Sequence, residues 1–158
     1  MSIMPGTTYW WRQGDSIARR GGDYYMNSWK QVLATMPRKV LICNWNNWME
    51  ETSIEGCVGK NGWKDRNNKP AYDWYLKITR AYIYIFKHDR LPDSTYVREE
   101  GSSQLYFFSG RRGNVLCLYS TVDTFRHTGE YPGQEPDILL PKNWLSSHLY
   151  TLENCYGR

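Results

Sequence analysis

The spacing of apolar positions changes along the chain, and each change marks an element. Residues 2–4 are a short apolar stub closed by Pro5-Gly6, and a polar, aromatic loop follows to about Gly22. In GGDYYMNSWKQVLATMP, Tyr25, Trp29, Val32, Leu33 and Met36 recur at i, i+4, i+7, i+8 and i+11, which predicts one face of a helix. Asp23 is a fitting N-cap, and Pro37, which lacks an N–H, stops the helix. Val40 to Cys43 is a continuous apolar run too short for a helix, the pattern of a strand buried on both faces in a parallel sheet. From Asn44 to about Lys69 the chain is rich in Asn, Gly and charge and reads as one long loop. Loops of that length in compact domains are functional or disordered, and Trp45, Trp48, Ile54 and Trp63 argue for order. Pro70 can start the next helix, in which Tyr75, Ile78, Tyr82 and Ile85 form a stripe. Its tail, AYIYIF, also alternates as a strand would, which leaves the end of this helix open. Helix, strand, long loop and helix make a β/α repeat.

The character shifts after Asp89. STYVREE, QLYFFSG and NVLCLYSTVD predict short strands, SGRRGN predicts a hairpin turn between the last two, and DILLP predicts another strand among Pro132, Pro136 and Pro141. The expected organisation is therefore α/β over 1–90 and β-rich over 91–158, with no internal repeat.

At 158 residues and 41% hydrophobic content the chain can bury a core. Its eight Trp and thirteen Tyr are more unusual, because such rings serve cores and also form flat binding surfaces for sugars or single-stranded nucleic acid. The net charge of +4 is mild. Residues 1–90 carry 14 Lys and Arg against 8 Asp and Glu, residues 91–158 carry 6 against 8, and basic residues cluster only in pairs such as Arg19-Arg20 and Arg111-Arg112. This distribution gives no indication of nucleic-acid binding. Cys43, Cys57, Cys117 and Cys155 form no CxxC pair and the three His are scattered, so neither a zinc site nor another metal site is expected. Cys43 ends an apolar run and is expected to be buried. No run is long and apolar enough to span a membrane. MSIMPGTTYWW lacks the parts of a signal peptide and reads as a strand end within a larger fold, which leaves the localisation open. No cofactor is indicated, and the oligomeric state is not legible.

The chemistry concentrates in NWNNWMEETSIEG, Asn44 to Gly56, which holds two Trp, three Asn and the only three Glu of the first 98 residues, with no Lys or Arg. It leaves the predicted strand at its carboxyl end, where parallel α/β folds place their active sites. Carboxylates can serve as acid, base or nucleophile on a glycosidic bond. Asn offers donor and acceptor to hydroxyls, and indoles stack on pyranose faces. The alternative is a packed structural loop with solvated glutamates.

WNNWMEETSIEG resembles the W-N-E-W-x-E-G-T-x-I-E-P signature of endo-α-mannosidase-type glycoside hydrolases, glycoside hydrolase family 99 and its relatives. Trp45, Asn46, Trp48, Glu50, Thr52, Ile54 and Glu55 match in place. MPG at 4–6, DYYMNSWKQVLATMPRKVLICNW and YLKITRAYI resemble the segments that flank the signature in that family, in the same order. The likeness covers roughly residues 4–86 and does not extend to 91–158. It implies a carbohydrate-active protein acting on α-linked mannose or a related oligosaccharide or polysaccharide. The fold it implies is the C-terminal portion of a (β/α)8 TIM-type barrel, its last two β/α units, followed by a β-rich extension. A strand in such a portion would expose edges that neighbouring strands normally cover.

The family's two catalytic glutamates lie three residues apart, one a base on the sugar 2-hydroxyl, giving an epoxide-like intermediate, the other an acid and then a base. Here the second is Glu50 and the first is Asn47, an isostere that cannot accept a proton at neutral pH. Glu51 stands for Gly and Gly56 for Pro. Glu51 could offer a displaced carboxylate, although adjacent residues of an extended loop point opposite ways. The catalytic candidates are thus Glu50 and Asn47. The substrate-binding candidates are Trp45, Asn46, Trp48 and Glu55, with Tyr9 and Trp10 on the neighbouring loop. Glu50 has an alternative as an acceptor for backbone amides, Glu55 as a cap or ion-pair partner, and Trp45 and Trp48 as walls of the barrel top. Three readings follow: a hydrolase-like region, a catalytically impaired glycan-binding relative, and a truncated fragment inactive alone.

Overall fold

A computed structural model describes residues 1–7, 16–57, 62–65, 68–111, 113–121 and 137–153. Two compact units divide the chain, Met1–Arg80 and Ala81–Arg158, with the boundary inside a helix that runs through both.

The first unit is a β-α-β crossover followed by a long loop and a second helix. β1 (Ser2–Ile3) pairs in parallel with β2 (Leu41–Ile42), and α1 (Asp23–Thr35) connects them. Tyr25, Met26, Trp29, Val32 and Leu33 of α1 are buried, each contributing about 1.5–3 kcal/mol of apolar transfer. Met36 departs from the predicted face and is 49% exposed. It is the C-cap, left-handed at φ 41, and a residue turned that way leaves the helical stripe. Asp23 is the first helical residue, and the N-cap is Gly22 at φ 100. Pro37 follows the cap, in keeping with the predicted stop. α2 (Trp74–His88) begins four residues after Pro70 and stays helical through AYIYIF. The stripe Tyr75, Ile78, Tyr82 and Ile85 is fully buried, which decides the period as 3.6. Lys87 and His88 end the helix, where cations suit its dipole.

The strand expected to be buried on both faces is not. Leu41 is 65% exposed and Ile42 half-buried, because among the described residues β2 has a strand neighbour on one side only. Cys43 is likewise half-buried, its thiol 3.3 Å from the Ser2 hydroxyl.

The second unit is built on a five-stranded mixed sheet in the order β6-β3-β4-β5-β7. β3 (Thr95–Glu99), β4 (Gln104–Phe108) and β5 (Val115–Thr121), the three predicted strands, form an antiparallel meander that includes the predicted hairpin, with Gly110 and Gly113 in positive φ at the β4–β5 turn. β6 (Asp137–Leu140), the predicted DILLP strand, lies parallel to β3. A short helix α3 (Trp144–Ser147) and a parallel edge strand β7 (Thr151–Glu153) were not legible in the pattern. Three residues without alternation carry no strand signal, and β7 is exposed throughout. The buried Tyr82 hydroxyl donates to the Leu139 carbonyl at 2.8 Å and accepts from the Leu139 amide at 2.9 Å, so α2 is hydrogen-bonded to β6. The Glu99 carboxylate accepts from the Leu145 amide at 2.7 Å and ties α3 to the end of β3. Cys117 of β5 is disulfide-bonded, whereas Cys43 is a free thiol.

Candidate functional site

The signature loop leaves β2 and folds back on itself. The Asn44 amide donates to the Thr52 carbonyl at 3.1 Å, and the Asn44 carbonyl accepts from Ile54 at 3.1 Å. The Glu55 amide donates to the Trp45 carbonyl at 3.0 Å, and the Asn44 side-chain amide donates to the Thr52 hydroxyl at 3.0 Å. The Cys43–Asn44 peptide is cis. Closure divides the loop into a floor and a rim. Thr52, Ser53 and Ile54 are buried, whereas Trp45 is 54%, Trp48 42% and Met49 66% exposed.

Two side chains from earlier in the chain hold the floor. The Thr7 hydroxyl donates to the Glu50 carbonyl at 3.1 Å. Arg19 Nη2 donates to the Glu51 carbonyl and, at 2.9 Å, to the Ser53 carbonyl. The Arg19 guanidinium also lies 3.8 Å above the Trp63 ring centre and 4.5 Å from that of Tyr75, within cation–π range. Burial lowers its pKa from the usual arginine range, and the neighbouring Tyr75 and Glu51 oppose that shift. The Tyr75 phenol is raised by burial, against the pull of Arg19.

Trp63 is the centre of the aromatic cluster. It is buried, stacks on Trp48 at 5.4 Å and 14°, and meets Tyr75 edge-on at 5.5 Å and 85°. Its indole N–H donates to the Glu55 carbonyl at 2.6 Å. A turn pinned by Asp65, whose carboxylate accepts from the Lys69 amide at 3.0 Å, returns the chain so that the Ala71 amide meets the Trp63 carbonyl at 2.8 Å. Trp48 is thereby held against a fixed ring and keeps an exposed surface.

Asn47 and Glu50 meet directly. Asn47 Nδ2 donates to Glu50 Oε2 at 3.0 Å, and Asn47 Oδ1 accepts from the Glu50 amide at 3.3 Å. Asn47 therefore uses both ends of its side-chain amide on Glu50. An amide in that position orients a carboxylate and removes no proton.

The other two departures from the signature have local physical correlates. Glu51 has φ 50, a left-handed conformation that glycine adopts freely and a side chain resists. It is exposed, and its charge acts on Arg19. Glu51→Gly is expected to stabilise the protein by about 0.5–1 kcal/mol, read as a raised urea midpoint at unchanged slope. A lowered midpoint would show that the Glu51 charge outweighs the backbone. At Gly56, an added Cβ would overlap the outer atoms of the Tyr72 ring, an exposed side chain that would have to swing aside.

Of the candidates, the structure brings Asn47, Glu50 and Trp48 together on one short turn, with Trp45 and Asn46 on its exposed rim. Glu55 is half-buried and its backbone is bonded at both ends. Tyr9 and Trp10 lie outside the described residues. Sequence reasoning missed Thr7 and Arg19. In the sequence Arg19 stands out only as half of the basic pair Arg19-Arg20, which carries no signal of this role.

No family model matches the chain, and no curated protein matches it. Among solved structures, it is similar to a GH99 endo-alpha-mannosidase from Bacteroides thetaiotaomicron in complex with BIS-TRIS-propane, at 26% identity and TM-score 0.48 over 54% of this chain and 29% of that one. A second structure of the GH99 endo-alpha-mannosidase from that organism is similar at 25% identity and TM-score 0.49, over 58% of this chain and 29% of that one. The chain thus spans well under a third of the length of either.

Proposed function

We propose that the chain carries the sugar-facing loop of an endo-α-mannosidase-type carbohydrate-active protein, and that this loop binds α-linked mannose or a related polysaccharide without two-carboxylate cleavage. In this reading residues 1–90 supply the last two β/α units of a (β/α)8 barrel, and 91–158 form a β-rich extension. The observation that carries it is the Asn47–Glu50 pair beside the half-open Trp48: one carboxylate, held by an amide, next to an indole that is fixed on Trp63 and still accessible. Trp48 and Trp45 are the stacking surfaces, Asn46 and Glu50 the groups for sugar hydroxyls, and Glu55 shapes the loop floor. The in-place match of Trp45, Asn46, Trp48, Glu50, Thr52, Ile54 and Glu55 to the family signature supports the substrate class.

The test is a fluorescence titration with α-linked manno-oligosaccharides. The wild type should show an indole shift, and Trp48→Ala should bind at least about tenfold more weakly, the loss of one stacking contact of about 1.4 kcal/mol. Product analysis of the same mixtures should find no cleavage. Silence of the wild type across α-mannosides and mixed polysaccharides would sink the reading, and turnover by the wild type would overturn the assignment of Asn47.

A further inference from the structure

We propose that Arg19 is the positioning residue of this site, the group that fixes the Glu50 turn and the Trp48 platform relative to each other. The inference rests on the glycan-binding reading for its ligand but on separate contacts for its geometry. Glu50 and Trp48 belong to the same turn, yet their side chains make contacts in different directions. Glu50 is bonded to Asn47, whereas Trp48 is stacked on Trp63, which arrives from the far end of the loop. Arg19 touches both sides. Its Nη2 bonds the Glu51 and Ser53 carbonyls that follow Glu50, and its guanidinium plane lies against the Trp63 ring at 3.8 Å.

A planar guanidinium can do both at once, donating in its plane while presenting its face to a ring. A lysine ammonium is a compact point charge and cannot hold two carbonyls while lying flat on an indole. Arg19 also retains Nε and Nη1, buried without a hydrogen-bond partner among the described residues. Here the bonds that are made converge on the segment following Glu50, and the guanidinium faces two rings, Trp63, which carries Trp48, and Tyr75. Nothing in this arrangement requires Arg19 to touch the sugar: its action passes through Trp63 and the loop backbone.

The experiment compares wild type, Arg19→Lys and Arg19→Met, with two readouts. One is the affinity for α-linked manno-oligosaccharides. The other is the exciton-coupled circular dichroism of the stacked Trp48–Trp63 pair, which a merely stabilising residue would leave intact in the folded protein. Both variants should fold, lose most of the exciton signal, and bind at least tenfold more weakly, with lysine giving no rescue. Wild-type affinity and an intact signal in either folded variant would overturn the proposal. Failure of both to fold would make Arg19 a structural residue and also overturn it. If the wild type binds no glycan, the functional reading falls by itself, and the exciton signal still decides whether Arg19 sets the Trp48 placement.

Discussion

Trp63→Ala is expected to cost the protein about 3–5 kcal/mol, at the upper end for a large-to-small substitution. The indole is buried and belongs to four interactions at once: the stack with Trp48, the edge contact with Tyr75, the cation–π contact with Arg19 and the bond to the Glu55 carbonyl. Alanine removes all of them, leaves the Glu55 carbonyl without this donor, and opens a cavity under the loop. Trp63→Phe separates the parts, because it keeps a ring for Trp48 to stack on and deletes the N–H. Its cost should be about 1–3 kcal/mol, the range for an unsatisfied buried acceptor. Trp45→Ala is the surface control, since Trp45 is 54% exposed, and should stay within about 0.5 kcal/mol. Urea unfolding measures all three. If Trp63→Ala falls no lower than Trp45→Ala, the cluster does not organise the loop, and the placement of Trp48 has another cause.

Gly22→Ala should be the other severe substitution. Gly22 caps α1 at φ 100, and an added Cβ would meet Ile78 Cδ1 at 2.8 Å and Trp74 Nε1 at 2.9 Å. Neither neighbour can yield easily, as both side chains are fully buried and the Trp74 indole is committed to the Gly21 carbonyl at 2.7 Å. Backbone strain and overpacking together come to about 2–4 kcal/mol. Gly113→Ala isolates the first part, because Gly113 has φ 64 with no atom within 4 Å of the added methyl. It should cost about 1 kcal/mol. Equal midpoints for the two variants would mean that the close approach of α1 and α2 at Gly22 relaxes without penalty.

How much of this was legible follows from how local each feature is. The stripes on α1 and α2 could be read because a 3.6-residue period is written into consecutive positions, and Tyr25, Trp29, Ile78 and Tyr82 are buried accordingly. The strands β3, β4 and β5 were legible for the same reason, with the glycine turn between the last two. Burial of β2 was not, because an apolar run reports a preference for burial and not the number of neighbouring strands. The signature loop could be recognised by its residues, but its construction could not. Arg19 reaches Ser53 across 34 positions, Thr7 reaches Glu50 across 43, and no periodicity records such pairs. That an amide, Asn47, lies three residues before Glu50 was visible in the sequence. That its amide closes on Glu50, leaving the turn complete without a second acid, needed coordinates.

The contact between Gly56 and Tyr72 bears on how such a loop can change. A side chain at 56 meets the outer edge of the Tyr72 ring, and because Tyr72 is 55% exposed that ring can swing into solvent to admit it, at the cost of its present place over Gly56. The two positions are therefore coupled: what a substitution at 56 costs depends on what residue 72, sixteen places away, gives up. A change at Gly56 is read properly only beside one at Tyr72, as a double-mutant cycle.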